Sequence, residues 1–304
     1  MGSGPTIENA QSHQITYKGV TRMLPSINAR IDDISRKIWE CEKCYVINYY
    51  RTKNIPFRPE PFMPGIGNAN YRMLYVAINP GWNRNNERNY EGILKKIYEG
   101  NDYERYKKEY EKAGEIIWPK KTVKNVTDKF PDNLSCMANA ARRVFCPDIE
   151  DFTPDNYERH VFRTQLSYCS SNKLRERRIN KVSMPETWKG IFEEGEVDTC
   201  LKSNYLKDII ECIKPEVILF LGQYSRDYFG AKSNEYLREL LGKDIESNID
   251  IREEYQLKRG KSEIIGRVTS DKVQKILFLP HPCARINKIE ELECKIEKLC
   301  KKLI

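Results

Sequence analysis

The sequence predicts an α/β protein with a three-layer αβα fold around a central four-stranded parallel sheet. Three observations lead to this class: short apolar runs rich in β-branched and aromatic residues, helical patterns between them, and a polar or glycine turn closing each run. Parallel neighbours need long crossover connections, so the alternation indicates helices on both faces of the sheet. The predicted strands are Met73–Ile78, Val161–Tyr168, Val217–Leu221 and Lys275–Leu279.

Composition sets the broad class. The chain has 304 residues and 39% hydrophobic content, which suffices for one large core. We expect residues 1–22 to be a flexible leader and residues 23–304 to form a single domain. No apolar run approaches the roughly 18 residues of a membrane span, and the first residues lack the features of a signal peptide. The ten cysteines therefore indicate a reducing, cytoplasmic compartment rather than a disulfide framework.

Charge favours a polyanionic partner. The net charge is +8 and the pI is about 8.8. This excess of positive charge favours binding to nucleic acid. A solvated basic face is the alternative interpretation. One basic cluster contains Lys173, Arg175, Arg177, Arg178 and Lys181.

The first predicted helix covers about 26–40, because isoleucines recur at helical spacing after Ser26, which can cap the first turn. The helix leads into Cys41-Glu-Lys-Cys44. A CxxC pair can be a redox pair, half of a zinc site or part of an iron-sulfur site, and this spacing alone does not choose among them.

The first strand ends at Asn79-Pro80-Gly81. Pro80 cannot continue a strand ladder and Gly81 permits a positive φ, so the chain turns sharply after Asn79. A polar side chain is thus expected at the carboxyl end of a strand, where open α/β sheets bind their ligands.

The middle of the chain carries a predicted helical insertion at 84–127 and a helix at 133–145. The second strand ends at Cys169, and a basic loop, 170–199, then reaches Cys200.

A helix over about 205–213 is closed by Pro215, and the third strand stops at Gly222. A polar, strongly charged stretch precedes the fourth strand, which stops at Pro280-His281, and a last helix begins near Ile289. Because carboxyl ends of parallel strands meet at one edge, four positions are expected to converge there. They are Asn79, Gln165, Gly222 with Gln223, and His281.

Several of these segments together resemble the uracil-DNA glycosylase superfamily, and within it most closely the iron-sulfur family 4 type. Their order and spacing carry the resemblance more than any single segment. The matching segments are Cys41-x-x-Cys44, Arg51-Thr52, Pro64-Gly65-Ile66-Gly67-Asn68, Ile78-Asn79-Pro80-Gly81, Thr164-Gln165-Leu166-Ser167-Tyr168-Cys169, Cys200, Lys214-Pro215 through Gly222, and His281-Pro282-Cys283.

The resemblance implies a structural [4Fe-4S] cluster. The family's four ligands map onto Cys41, Cys44, Cys169 and Cys200, although the gap before Cys200 is longer than usual. Four thiolates also suit zinc, so spacing alone leaves a zinc site as the alternative.

The resemblance also implies which residues are catalytic. Family 4 has an acidic residue where this chain has Ile78, and the Ile-Asn-Pro-Gly form instead resembles the mismatch-specific and single-strand-selective branches, whose catalytic residue matches Asn79. His281 matches the histidine that hydrogen-bonds the base as negative charge develops on the leaving group. Cys283 replaces the usual serine of this motif.

The base-binding positions depart from strict uracil enzymes. Gln165 stands where relatives have an asparagine, and Gly81 stands where a tyrosine blocks substituents at C5 of uracil. With Ile78 beside them, these residues predict a pocket for a C5-modified pyrimidine, such as the hydroxymethylated or glucosylated cytosines of phage DNA, and hence a defence role.

The basic loop resembles that of the uracil-cross-linking branch, with Asn180 in place of its histidine. Asparagine is a poor nucleophile, so we expect hydrolysis without a covalent intermediate. The residues expected to contact DNA phosphates are Arg175, Arg177, Arg178, Lys181 and Arg285.

The resulting hypothesis is a monomeric, cytoplasmic, prokaryotic DNA glycosylase that acts on double- or single-stranded DNA, with no membrane partner. Two alternatives stay open. One is a uracil-DNA glycosylase of base-excision repair, and the other is a non-catalytic iron-sulfur DNA-binding module.

Overall fold

A computed structural model gives the fold of the chain. It describes the residues of the following ranges: 14–17, 20–23, 27–43, 71–77, 102–105, 107–108, 130–153, 160–166, 200–222, 233–246, 250–258, 260–282, 284 and 286–304. Within these ranges no helix combines the length and the apolar character needed to cross a bilayer.

The strands and helices alternate along most of the chain. Among the described residues the strands are β1 (Gln14–Tyr17), β2 (Val20–Met23), β3 (Met73–Ala77), β4 (Val161–Gln165), β5 (Val217–Leu221), β6 (Ile251–Gln256), β7 (Lys261–Val268) and β8 (Lys275–Leu279). The helices in the same ranges are α1 (Ile27–Trp39), α2 (Phe130–Phe145), α3 (Tyr205–Ile213), α4 (Ser233–Leu241) and α5 (Ile289–Lys301).

The main sheet has six strands in the order β4-β3-β5-β8-β7-β6. The first four are the predicted strands, and the pairings among these four are all parallel. β7 and β6 add to one side by antiparallel pairing. The prediction of a four-stranded, wholly parallel sheet is therefore wrong, because the sheet is larger and mixed.

The two missed strands lie in the stretch that was interpreted as polar and charged. β6 is an edge strand on which only Tyr255 is fully buried. Its exposed charges pair with the adjacent strand, as in the 3.0 Å contact of Lys261 with Glu254. An edge strand with a solvated face carries few apolar residues, so the pattern of hydrophobicity was weak there.

Apolar packing covers both faces of the main sheet. On one face, α1, α3 and α4 pack against residues such as Leu74 and Phe220. On the other face, α2 and α5 pack against residues such as Tyr75 and Leu277. β5 is buried along its whole length, which explains its continuous apolar sequence.

α1 and α3 run antiparallel. The Cys212 thiol near the end of α3 contacts the Ile27 carbonyl at 3.8 Å, while the Tyr205 hydroxyl at the start of α3 donates to the Lys37 carbonyl at 3.3 Å. α3 leads into the amino end of β5, so its first residue lies toward the opposite, carboxyl end of the parallel strands. The end of α1 therefore reaches that same end of the molecule.

The structure describes some residues of the predicted leader and of the predicted insertion. β1 and β2 form an antiparallel hairpin within the predicted leader. Of the predicted insertion, residues 102–105 and 107–108 are described, and the buried Tyr103 donates its hydroxyl to Asp32 of α1 at 3.0 Å. This part of the insertion therefore packs on the helix that leads to Cys41.

Candidate functional site at the carboxyl edge of the sheet

Parallel pairing brings the ends of four strands to one edge. Ala77 pairs with Gln165, and the Leu166 amide donates to the Ala77 carbonyl at 2.8 Å. Across the sheet, the Gly222 amide donates to the Leu279 carbonyl at 2.9 Å. β4 and β8 lie three strand spacings apart, about 14 Å, which is the distance between the two sides of this edge.

Gln165 is the most informative side chain at this edge. It is 7% exposed, and its Oε1 atom is buried with no hydrogen-bond partner in the described part of the chain. Leaving a buried carbonyl oxygen unpaired costs about 1–3 kcal/mol. By strand alternation its side chain lies on the same face as Val161, which packs with α2 and α5.

Gly222 and His281 lie next to each other at the far side of the edge. Gly222 has a φ of +89°, which favours glycine, and a Cβ added there would lie 3.7 Å from the Cβ of His281. His281 itself is exposed. The Ala284 amide donates to the His281 carbonyl at 2.7 Å and closes a tight turn, which we call the His281 turn (residues 281–284).

Helix α2 begins at this edge. Asn133, near its start, donates its side-chain amide to the Pro282 carbonyl at 2.6 Å. The far end of α2 leads to Cys146 and Asp148, which contact Glu216 and Arg72 ahead of β5 and β3. The helix thus runs from the carboxyl edge to the amino edge, and the positive end of its dipole lies beside the His281 turn.

Two of the four predicted cluster ligands are described, and both lie near Tyr205. Cys41 and the buried Cys200 both pack in the core under α1 and α3. The pKa of Tyr205 is raised mainly by burial. A hydrogen bond with the Cys41 side chain and the charge of that side chain raise the pKa further, and the charge of Cys200 also contributes. Two thiols from distant parts of the sequence therefore lie near the same side chain.

The two described cysteines near Tyr205 supply sulfur atoms, the donor chemistry of a thiolate-bound metal group. Thiolate sulfurs are the ligands of iron-sulfur clusters and of structural zinc. No group of three or more metal-binding side chains occurs among the residues that the structure describes, but Cys44 and Cys169 lie outside them. The two described thiols lie on the opposite face of the sheet from the side chain of Gln165.

The other predicted site residues also lie outside the described ranges. Asn79 follows the last residue of β3 by two positions in the sequence, and Arg285 follows Ala284. The full set comprises Ile78, Asn79, Gly81, Arg175, Arg177, Arg178, Lys181, Arg285, Cys44 and Cys169.

Sequence reasoning did not identify Asn133 or Tyr205. Both were placed in predicted helices, and nothing local signals that Asn133 bonds a carbonyl 149 positions away. Tyr205 had a detectable signal, because it is the first aromatic residue after Cys200 and starts the helix that follows.

No protein-family model matches the chain, and no curated protein matches it either.

A stability measurement tests the special position of Gln165. We expect Gln165→Leu to keep or raise the free energy of unfolding, because the substitution removes a buried carbonyl oxygen that has no partner among the described residues. The matched control is Gln274→Leu, since Gln274 is equally buried but donates to the Pro215 carbonyl at 3.3 Å. That control should lose about 1 kcal/mol in chemical denaturation. A larger loss for Gln165→Leu than for Gln274→Leu would contradict a binding role for the Gln165 amide.

Proposed function

We propose that this protein is a monofunctional DNA glycosylase that hydrolyses the N-glycosidic bond of a flipped-out pyrimidine. One observation carries the proposal: at the carboxyl end of a parallel strand, Gln165 has a buried carbonyl oxygen with no hydrogen-bond partner in the described part of the chain. A buried polar group without a partner calls for an explanation, and a ligand that pairs with it at the carboxyl edge supplies one. A carboxamide can both donate and accept, which suits the Watson-Crick edge of a base.

The reaction needs stabilisation at two points. Water attacks C1′ of the sugar, the N-glycosidic bond breaks, and the base leaves as an anion that takes up the proton lost by the water. The transition state resembles an oxocarbenium ion. We assign Asn79 to orienting the water and stabilising the sugar, and His281 to hydrogen-bonding the leaving base as its negative charge develops.

The described geometry supports a role for His281. Its turn adjoins the end of β8 and the positive end of α2, and the dipole of this helix favours developing negative charge at this edge. β3 lies next to β4, and Asn79 follows the end of β3 by two positions in the sequence. Gln165 reads the base from the β4 side of this edge.

The target base follows from sequence differences at the pocket. Gly81 in place of a tyrosine leaves the C5 side of a pyrimidine open, and glutamine at position 165 reaches about 1.5 Å further than asparagine. We therefore propose a C5-modified pyrimidine, such as hydroxymethylated or glucosylated cytosine of phage DNA, as substrate. The net charge of +8 and the basic residues of the loop and of Arg285 would supply phosphate contacts.

We assign Cys41, Cys44, Cys169 and Cys200 to a [4Fe-4S] cluster. The cluster would join the end of α1 to the start of α3 and stabilise that layer. Its two described ligands lie across the sheet from Gln165, which favours a structural role over a catalytic one.

Base release from defined oligonucleotides tests the activity. We expect wild-type protein to leave an abasic site opposite guanine at 5-hydroxymethylcytosine, and Asn79→Ala and His281→Ala to lower the single-turnover rate about 100-fold or more. Gln274→Leu is the control, since Gln274 lies at the amino edge of the sheet.

Undiminished cleavage by Asn79→Ala would refute the mechanism. Strong preference for uracil would overturn the substrate assignment, and salt-dependent binding without any abasic product would favour a non-catalytic DNA-binding module.

The cluster assignment has its own spectroscopic test. Anaerobically purified protein should show a broad absorption band at about 400 nm, and Cys41→Ser and Cys200→Ser should lose both the band and the iron. Cys212→Ser should keep them, because Cys212 is buried at the other end of α3. A colourless protein with one bound zinc would establish the zinc alternative.

A further inference from the structure

The His281 turn is held by backbone contacts at both ends. Before the turn, the Gly222 amide bonds the Leu279 carbonyl. After it, the Asn287 amide donates to the Gln256 carbonyl at 3.3 Å, and Ile286 forms a bridge with Leu257. The β6–β7 hairpin therefore supports the segment that leaves the turn.

The middle of the turn is held by a side chain. The Pro282 carbonyl accepts the 2.6 Å hydrogen bond from Asn133, and Pro282 is buried although His281 beside it is exposed. Pro282 has no N–H group, so its carbonyl is its only backbone hydrogen-bonding group. A contact from helix α2 at this carbonyl restricts rotation of the peptide that follows Pro282, one residue after the histidine.

We propose that Asn133 is a positioning residue that sets the orientation of His281 by clamping the Pro282 carbonyl to the start of α2. This inference rests on the proposed glycosylase function for its catalytic consequence. A small displacement of a reacting group can cost about 100-fold in rate, so the clamp should affect the chemical step more than DNA binding.

A double-mutant cycle tests whether Asn133 acts through His281. We expect Asn133→Ala and the isosteric Asn133→Asp, which cannot donate, to lower the single-turnover rate about 10- to 100-fold, with little change in the DNA dissociation constant. In a His281→Ala background the same substitutions should lower the residual rate by less than about twofold, since the group they position is already gone. An equal factor in both backgrounds would overturn the inference.

Asn139→Ala is the matched control. Asn139 belongs to the same helix and makes two hydrogen bonds with the backbone of Phe152, at 2.7 and 2.6 Å, away from the turn. It should reduce thermal stability at least as much as Asn133→Ala but leave the single-turnover rate within about twofold of wild type. A matching loss of rate in Asn139→Ala would show that the effect is general to the helix.

Hydrogen exchange separates this inference from the glycosylase proposal, because it needs no activity. The Ala284 amide should exchange faster in Asn133→Ala than in wild type and Asn139→Ala, since its bond closes the turn that the clamp holds. Unchanged exchange would overturn the clamp whatever the activity. Faster exchange in a protein that releases no base would support the clamp and refute the proposed function.

Discussion

Parallel pairing of β4, β3, β5 and β8 is the constraint on which the rest of the structure depends. The pairing places the carboxyl ends of all four strands at one edge, so residues far apart in sequence share one surface. Gln165 and His281 are separated by more than a hundred residues, yet both end up there. The helices then add to the same edge, because α2 begins at it and α1 ends near it.

The two proposed sites, for base binding and for the cluster, lie on opposite faces of the sheet. Gln165 and Asn133 belong to the side covered by α2 and α5, where the base would bind, whereas Cys41 and Cys200 belong to the side covered by α1 and α3. A cluster on the side covered by α1 and α3 could stabilise the sheet without contacting the substrate on the other face. The described part of the insertion packs on α1, so its contacts also belong to this supporting layer.

The central strands could be predicted from sequence because they are buried on both faces. β5 and β8 have the predicted bounds, since each is a continuous apolar run that stops at a glycine or proline. β6 was missed because an edge strand pairs its charges and keeps a solvated face, as Glu254 does with Lys261. β7 lies inside the sheet, but its first three residues, Lys261, Ser262 and Glu263, are polar and interrupt the apolar pattern. The contact of Asn133 with Pro282 was beyond prediction, since it depends on how α2 packs and not on any local pattern.

Mass spectrometry of bases released from DNA that carries different pyrimidine modifications tests the central claim most directly. Wild-type protein should release a free C5-modified pyrimidine and leave abasic sites in matching amount, and Gln165→Leu should release little although it folds at least as stably. Bound but intact DNA, with no free base from any modified or uracil-containing sample, would contradict the assignment of the carboxyl edge as a glycosylase site.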